Sequence, residues 1–283
     1  KTNETGRFFV DGIRNEAASL HITGETQVYV VIGDPIAQVK STHLYNKLTA
    51  EIPADVVFVP VQFSAKDFER SVDGLRALKN LAGIIPTIPH KPRMMEVVDS
   101  CSKRAQIVGA VNSIRVEPDG QWVGDMFDGI GYVNGLIKNG HQPKNKSFLI
   151  VGAGGAGAAI SFALADAGVQ RLRIVDLDQG KVERIIANMR ANYSNIEIDT
   201  GPLDPTEFDV VANATPLGMA SGDPLPVSPD LLCCGQLVTE MIMKPPVTPL
   251  LVQAQAKGCV IQVGYEALVG QTAANLKFFG LVA

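Results

Sequence analysis

An excess of charge of either sign is missing from this sequence. Twenty-five Lys and Arg stand against 29 Asp and Glu over 283 residues, a formal net charge of −4, and no long basic run appears. Nucleic-acid binding, which leaves a basic footprint, is therefore not expected. Cysteine is scarce. Cys101, Cys233, Cys234 and Cys259 form no C-x-x-C pair, so no metal site is expected. They read as reduced, structural thiols of a cytoplasmic protein. No apolar run approaches the ~20 residues of a membrane helix, so no span is expected. The opening KTNETGRFF is polar and lacks the apolar centre of a secretory leader. It begins with Lys rather than Met, as a trimmed N-terminus would. Residues 1–24 show no strong period and read as a loose extension.

What is present is apolar: 46% of the residues are hydrophobic, enough for one large domain or two ordinary ones. No internal repeat or low-complexity tract is visible. Gln27–Gly33 reads as a buried strand, Thr42–Ala50 as a helix and Asp55–Phe63 as a strand whose Pro60 marks an edge or a bulge. Ser64 reads as a helix N-cap, followed by Phe68, Val72, Leu75 and Leu78 at helical spacing. Leu81–Lys91 is a strand leading into a Pro-rich loop, and Gly109–Asp125 a hairpin turning at Pro118-Asp-Gly120. After about residue 130 strands and helices alternate, the mark of a parallel sheet covered on both faces. The last helix covers Tyr265–Phe279. The fold class is α/β with two domains, 1–130 and 131–263. Their boundary is expected near Gly129–Gly135.

The second domain opens on FLIVGAGGAGAAISFALADAG. A strand, a glycine turn and a helix follow one another. Gly152 permits the tight turn and Gly154 lets backbone approach a pyrophosphate, with Ala153, Gly155 and Ala156 completing the cradle at the helix N-terminus. The next strand ends in Asp176-Leu177-Asp178. A carboxylate there bonds the ribose 2′-hydroxyl and repels a 2′-phosphate, and no cation occupies the next two positions. NAD rather than NADP is expected. The competing role for Asp176 and Asp178 is to cap the following helix.

Four further stretches place polar groups after apolar strands: GIIPTIPHK (83–91), GAVNS (109–113), GDMFDGIG (124–131) and NATPLGM (213–219). With VIGDPIAQVKSTHLYN (31–46) and GYEALVGQ (264–271), they resemble the shikimate dehydrogenase family over about residues 28–280. That resemblance implies a substrate domain at 1–130, completed by 264–283, and a Rossmann-type dinucleotide-binding domain at 131–263. The final helix is expected to pack back on the first domain. It implies hydride transfer between a nicotinamide cofactor and a hydroxyl of shikimate, quinate or a related small molecule. Lys91 and Asp128 fall on the family's acid–base pair. Ser41, Thr87, Asn112 and Gln271 match its substrate contacts. Asn213, Thr215, Met219 and Gly264 match positions near the ribose and nicotinamide, beside Asp176 and Leu177. Asn112 has a second reading, as a residue that only satisfies the backbone of its own turn. His90 is expected to be a polar loop residue. A monomer or homodimer is expected.

The chain departs from the family pattern at Val39, where Ser-x-Ser or Ser-x-Thr is usual, and at Ile85, Met126, Phe127 and Met243, which replace polar residues or a tyrosine. A thinned set of hydrogen-bond donors implies a less polar cyclic alcohol. The alternative is a non-catalytic nicotinamide-binding homologue whose substrate site has decayed. The architecturally similar methylenetetrahydrofolate dehydrogenases fit the motif order less well.

Overall fold

The computed structural model describes residues 22–283; most of the expected N-terminal extension lies outside the described residues. β1 (Gln27–Gly33), α1 (Ser41–Thr49), β2 (Val56–Gln62), α2 (Phe68–Ala77), β3 (Leu81–Pro86), α3 (Lys91–Val97), β4 (Ser100–Cys101), α4 (Lys103–Val108), β5 (Ser113–Val116) and β6 (Trp122–Asp125) build a first layered unit. Its sheet has the order β2-β1-β3-β5-β6-β4. β1 runs parallel to β2 and β3, and β5 runs antiparallel to β3 and β6. β1 is central, and Val30 to Ile32 are at most 2% exposed, which is why its apolar run is continuous rather than alternating. Pro60 lies on β2 at the sheet edge, where a missing N–H leaves no ladder partner unsatisfied.

The second unit holds β7 (Ser147–Val151), α6 (Gly155–Asp166), β8 (Arg171–Val175), α7 (Gln179–Asn192), β9 (Glu197–Asp199), β10 (Val210–Asn213), β11 (Leu237–Glu240), α8 (Pro249–Ala256) and β12 (Val260–Gln262). All its strands are parallel, in the order β12-β11-β10-β7-β8-β9. This is the doubly wound arrangement, with its switch point between β7 and β10.

α5 (Asp128–Lys138) and α9 (Tyr265–Phe278) join the two units. The glycines expected to mark a domain boundary lie inside α5. A Cβ at Gly131 would stand 2.3 Å from the Ala267 carbonyl oxygen, and one at Gly129 would stand 2.1 Å from that of Ala159. These glycines let α5 press its backbone against α9 and α6, so they are packing residues rather than a linker. From this seam α9 reaches the first sheet, where Arg115 donates to the Phe278 carbonyl at 2.7 Å.

Other local readings shift. A 3-10 turn over Ala65–Asp67 precedes α2, and the Ser64 hydroxyl donates to the Asp67 carboxylate at 2.7 Å instead of capping the backbone. Leu78 ends α2 and is 46% exposed, outside the core. α3, α4 and α5 were not read from the sequence as helices, because short or glycine-rich segments show too little apolar periodicity. Among the described residues no helix is long and apolar enough to cross a membrane. Among the same residues no group of three or more His, Cys, Asp or Glu is placed to hold a metal ion.

Candidate active site

Lys91 is the first residue of α3, with Pro92 in the first turn, where an absent N–H is harmless. Asp128 is the first residue of α5, an acidic group at the positive end of a helix. The two starts face each other. The Lys91 ammonium is ion-paired with Asp128 Oδ2, and both side chains are largely withdrawn from solvent, at 16% and 6% exposure. Asp128 Oδ1 accepts from Asn112 Nδ2 at 2.7 Å. Both carboxylate oxygens are therefore held, which fixes where the lysine points.

Asn112 does more than its turn needs. Its Oδ1 accepts the Phe127 N–H at 2.8 Å, and its Nδ2 also donates to Gln271 Oε1 at 2.9 Å. One side chain thus ties α5 to α9 and serves the backbone besides. The structure joins Lys91, Asp128, Asn112 and Gln271 in one chain of hydrogen bonds. Ser41, first residue of α1, is 5% exposed. Thr87 follows β3, its N–H bonded to the Ile32 carbonyl at 2.8 Å. Among the described residues neither hydroxyl makes a side-chain bond to that chain.

The unusual residues separate into two groups. Val39 and Ile85 belong to an apolar cluster with Ile36, Tyr45 and Tyr29, and each lies two residues before Ser41 or Thr87 in the chain. Met126 and Phe127 are only 2% and 3% exposed. Met126 joins the core of the first unit, and Phe127 packs between the Arg104 guanidinium and the Phe278 ring. Both side chains are thus engaged by protein neighbours. Met243 is half-buried. His90 is not a polar loop residue: it is fully buried, stacked on Phe63 with ring centroids 4.5 Å apart. Its Nε2 bonds the Phe63 carbonyl at 2.9 Å.

On the opposite wall, Gly152 has φ +110°, and a Cβ at Gly157 would stand 1.9 Å from the Gly152 carbonyl oxygen. Only glycine allows the turn to lie so close beneath α6. A Cβ at Gly154 would meet nothing within 4 Å, so this face of the turn is open to a ligand. No side chain caps α6 and its first turn holds no acid, which leaves its N-terminus suited to a phosphate. Ala153 N–H donates to Asp176 Oδ2 at 2.6 Å, and Asp176 Oδ1 accepts from Asp178 N–H at 2.9 Å. Asp178 is the cap of α7, accepting from Lys181 N–H at 3.2 Å. Of the two aspartates, Asp178 therefore takes the capping role and Asp176 does not. Leu177 is fully exposed.

A cleft of about 390 Å³ runs between the walls, bounded by Pro92 and Ala110 on one side and by Gly154, Gly155, Lys181 and Arg184 on the other. Lys181 and Arg184 are not among the expected site residues, since neither directly follows Asp176; their signal in the sequence is their place in the first turns of α7. Asn213 is wholly buried. Its amide faces inward, donating to both Glu240 oxygens at 3.0 and 3.1 Å, while Oδ1 accepts from Thr215 N–H at 3.0 Å and Oγ1 at 2.7 Å. Asn213 therefore shapes the loop that carries Thr215 and half-buried Met219. Glu240, also missed, is 2% exposed and accepts a further bond from Thr248 Oγ1 at 2.8 Å. Burial pushes its carboxyl up to about 7. Gly264 lies against the Met241–Ile242 backbone, where a Cβ would stand 2.3 Å from the Ile242 carbonyl oxygen.

Residues 31–114 match the family model described as the shikimate dehydrogenase substrate binding domain. A shikimate dehydrogenase (NADP(+)) from Rubrobacter xylanophilus is 35% identical over 253 residues, 88% of each chain. The shikimate 5-dehydrogenase of Listeria monocytogenes, solved with shikimate and NAD, superposes with TM-score 0.80 at 28% identity, covering 92% of this chain and 94% of that one. The ligand-free 5-ketofructose reductase of a Gluconobacter strain superposes with TM-score 0.76 at 27% identity, covering 90% and 92%. With an identity of 35% sustained over nearly the whole length of both chains, this protein belongs to the shikimate dehydrogenase family.

Proposed function

We propose that the chain is an NAD-dependent dehydrogenase that oxidises a hydroxyl of a cyclic alcohol related to shikimate or quinate, and reduces the matching ketone. The observation that carries this reading is the ion pair of Lys91 and Asp128, braced by Asn112, beside a cleft shared with the glycine turn. A bound nicotinamide supplies the hydride acceptor. Lys91 acts as base in its neutral amine form: as the carbinol C–H bond gives up its hydride, Nζ takes the hydroxyl proton and the C–O bond becomes a carbonyl. In the reverse direction Lys91 returns that proton. Asp128 orients the amine and stabilises the ammonium it becomes. Gln271 and Asn112 offer amide groups to ring hydroxyls, and Ser41 and Thr87 offer hydroxyls.

The residues present fit a dinucleotide: an open Gly154 face, an uncapped α6 and the Asp176 carboxylate beside the turn. NAD is the proposed form because the Asp176 carboxylate stands at the end of β8 beside the glycine turn, where an acid disfavours a 2′-phosphate, while Lys181 Nζ is 3.4 Å from Asp178 and shares its charge. The Rubrobacter relative uses NADP(+) by name and the Listeria structure holds NAD, so relatives of both kinds exist. Val39 and Ile85, each two residues before Ser41 or Thr87, support a substrate less dependent on a hydroxyl clamp around a carboxylate. The reaction is assigned to the cytoplasm, whose reducing conditions suit four free cysteines.

The test follows reduction of NAD and, separately, NADP over shikimate, quinate and related cyclic alcohols and ketoses. Turnover with at least one alcohol and a higher kcat/KM for NAD is expected. A clear NADP preference overturns the coenzyme assignment. Tight coenzyme binding with no turnover across the panel favours the non-catalytic homologue.

A further inference from the structure

Behind Gln271 lies a polar group in the core that the reaction does not use. Asn275, one helical turn further along α9, is 1% exposed. Its Nδ2 donates to the Tyr45 hydroxyl oxygen at 2.7 Å and to Gln271 Oε1 at 3.3 Å. Its Oδ1 accepts from the buried Ser113 hydroxyl. Both amide hydrogens and one lone pair of the oxygen are engaged by three partners, and the three stand on different elements. Tyr45 is on α1, which begins at Ser41. Ser113 is the first residue of β5 and follows Asn112. Gln271 is on α9 itself.

We propose that Asn275 is a positioning residue that holds Ser41, Asn112 and Gln271 in register as one substrate wall. This rests on the reading of those three as substrate contacts. α1, β5 and α9 are far apart in sequence, and α1 is anchored by the stack of Tyr45 on Phe58, with centroids 4.9 Å apart. That stack, with the Asn46 side chain bonded to the Phe58 N–H and C=O at 2.8 Å each, ties α1 to β2. Neither contact ties α1 to β5 or α9, which the hydroxyl-to-amide bond does. Tyr45 is a neutral partner, because burial raises its hydroxyl well above the ordinary tyrosine range and the Asp128 charge adds to the rise. An apolar side chain at 275 would leave the Tyr45 oxygen buried without a partner and the Ser113 hydroxyl with only its weaker 3.3 Å bond to Asn112 Oδ1. The wall would then loosen at the substrate and not at the coenzyme, whose cradle lies on β7, β8 and β10.

The test compares Asn275→Ala and Tyr45→Phe with the wild-type chain. With shikimate or quinate and its preferred coenzyme, Asn275→Ala should raise the substrate KM about tenfold, the scale of one buried hydrogen bond. The coenzyme KM should stay within about twofold, since none of the three bonds touches its cradle. Tyr45→Phe should move the substrate KM the same way by less. In parallel, amide hydrogen exchange over residues 41–49 and 113–116 should speed up in Asn275→Ala while that of β7 and β8 is unchanged. Equal rises in both KM values, or unchanged exchange at 41–49 and 113–116, overturn the proposal. If Asn275→Ala does not fold, Asn275→Ser and Tyr45→Phe carry the same comparison. If the wild-type chain turns over neither acid, the best alcohol of the wider panel takes their place; if it turns over none, the functional reading fails, and the exchange experiment alone decides the role of Asn275.

Discussion

At the ends of β7 and β10 the chain offers a ligand mostly backbone. Between α1, α5 and α9 it offers side chains. The coenzyme wall is shaped by Gly152, Gly154 and Gly157, by an uncapped helix and by one carboxylate. All of it lies within about one strand–helix–strand unit, the size such motifs usually have. The substrate wall draws Ser41, Lys91, Asn112, Asp128 and Gln271 from five separate segments and joins four of them by hydrogen bonds. A backbone site fails when something is added to it. A side-chain site fails when something is taken away.

The largest expected effect removes chemistry from the second kind of site. Lys91→Ala should lower kcat about 10²- to 10⁴-fold, the range for a lost general acid–base group. Coenzyme affinity, measured by fluorescence titration, should hardly change, because Lys91 stands on the other wall. A fall in kcat of less than tenfold would remove Lys91 from the proton path.

Glu240 lies between the two kinds of wall, a side chain whose work is to hold a backbone loop. Its carboxyl is raised from 4.5 to about 7, chiefly by burial. A raised acid makes the folded state the tighter proton binder. The associated stability is full below pH 4.5 and is lost as pH climbs through 7. Glu240→Gln mimics the protonated form and lacks this loss. Between pH 5 and pH 8, wild type should therefore lose up to about 3 kcal/mol relative to the variant in urea unfolding. A pH-independent difference between the two would place the Glu240 pKa near its ordinary value.

The helix seam obeys the backbone rule. Gly131→Ala should destabilise by about 1–3 kcal/mol, since its Cβ would strike the Ala267 carbonyl. Gly74→Ala in α2, whose Cβ would meet nothing within 4 Å, should instead stabilise by up to about 1 kcal/mol. Equal effects at the two sites would mean that α5 and α9 are not in tight backbone contact. The same seam explains what could be read from the sequence and what could not. The glycine turn at 152–157 was legible because strand, turn and helix are adjacent in the chain. Gly129, Gly131 and Gly135 have the same composition as a linker, and only α6 and α9, about 30 and more than 120 residues later, reveal them as a packing surface. Lys91 and Asp128 were legible through their motifs. Asn275, Glu240 and the inward turn of Asn213 depend on partners from other elements, and no local spacing encodes such a partner. Met126 and Phe127 depart from the family pattern in the sequence, and the packing of Met126 in the first core and of Phe127 between Arg104 and Phe278 comes from segments distant in the chain.

Val39 gives the smallest effect and bears most directly on the substrate. It is half-buried beside Ile36 and Ile85, with Ser41 two residues on at the start of α1. Val39→Ser supplies a hydroxyl at about the right volume and adds no bulk to the cluster. A substrate whose carboxylate is recognised there gains one hydrogen bond, about 0.5–1.5 kcal/mol, so the KM for shikimate or quinate should fall between about twofold and tenfold. The coenzyme KM should not move. The cost is modest, because a half-buried Val gives up only part of its apolar burial. If the KM for both acids is unchanged while the variant remains folded, no carboxylate lies beside residue 39. Selection at this wall would then rest on the apolar surface of Val39 and Ile85, and an alcohol without a carboxylate would be the better substrate.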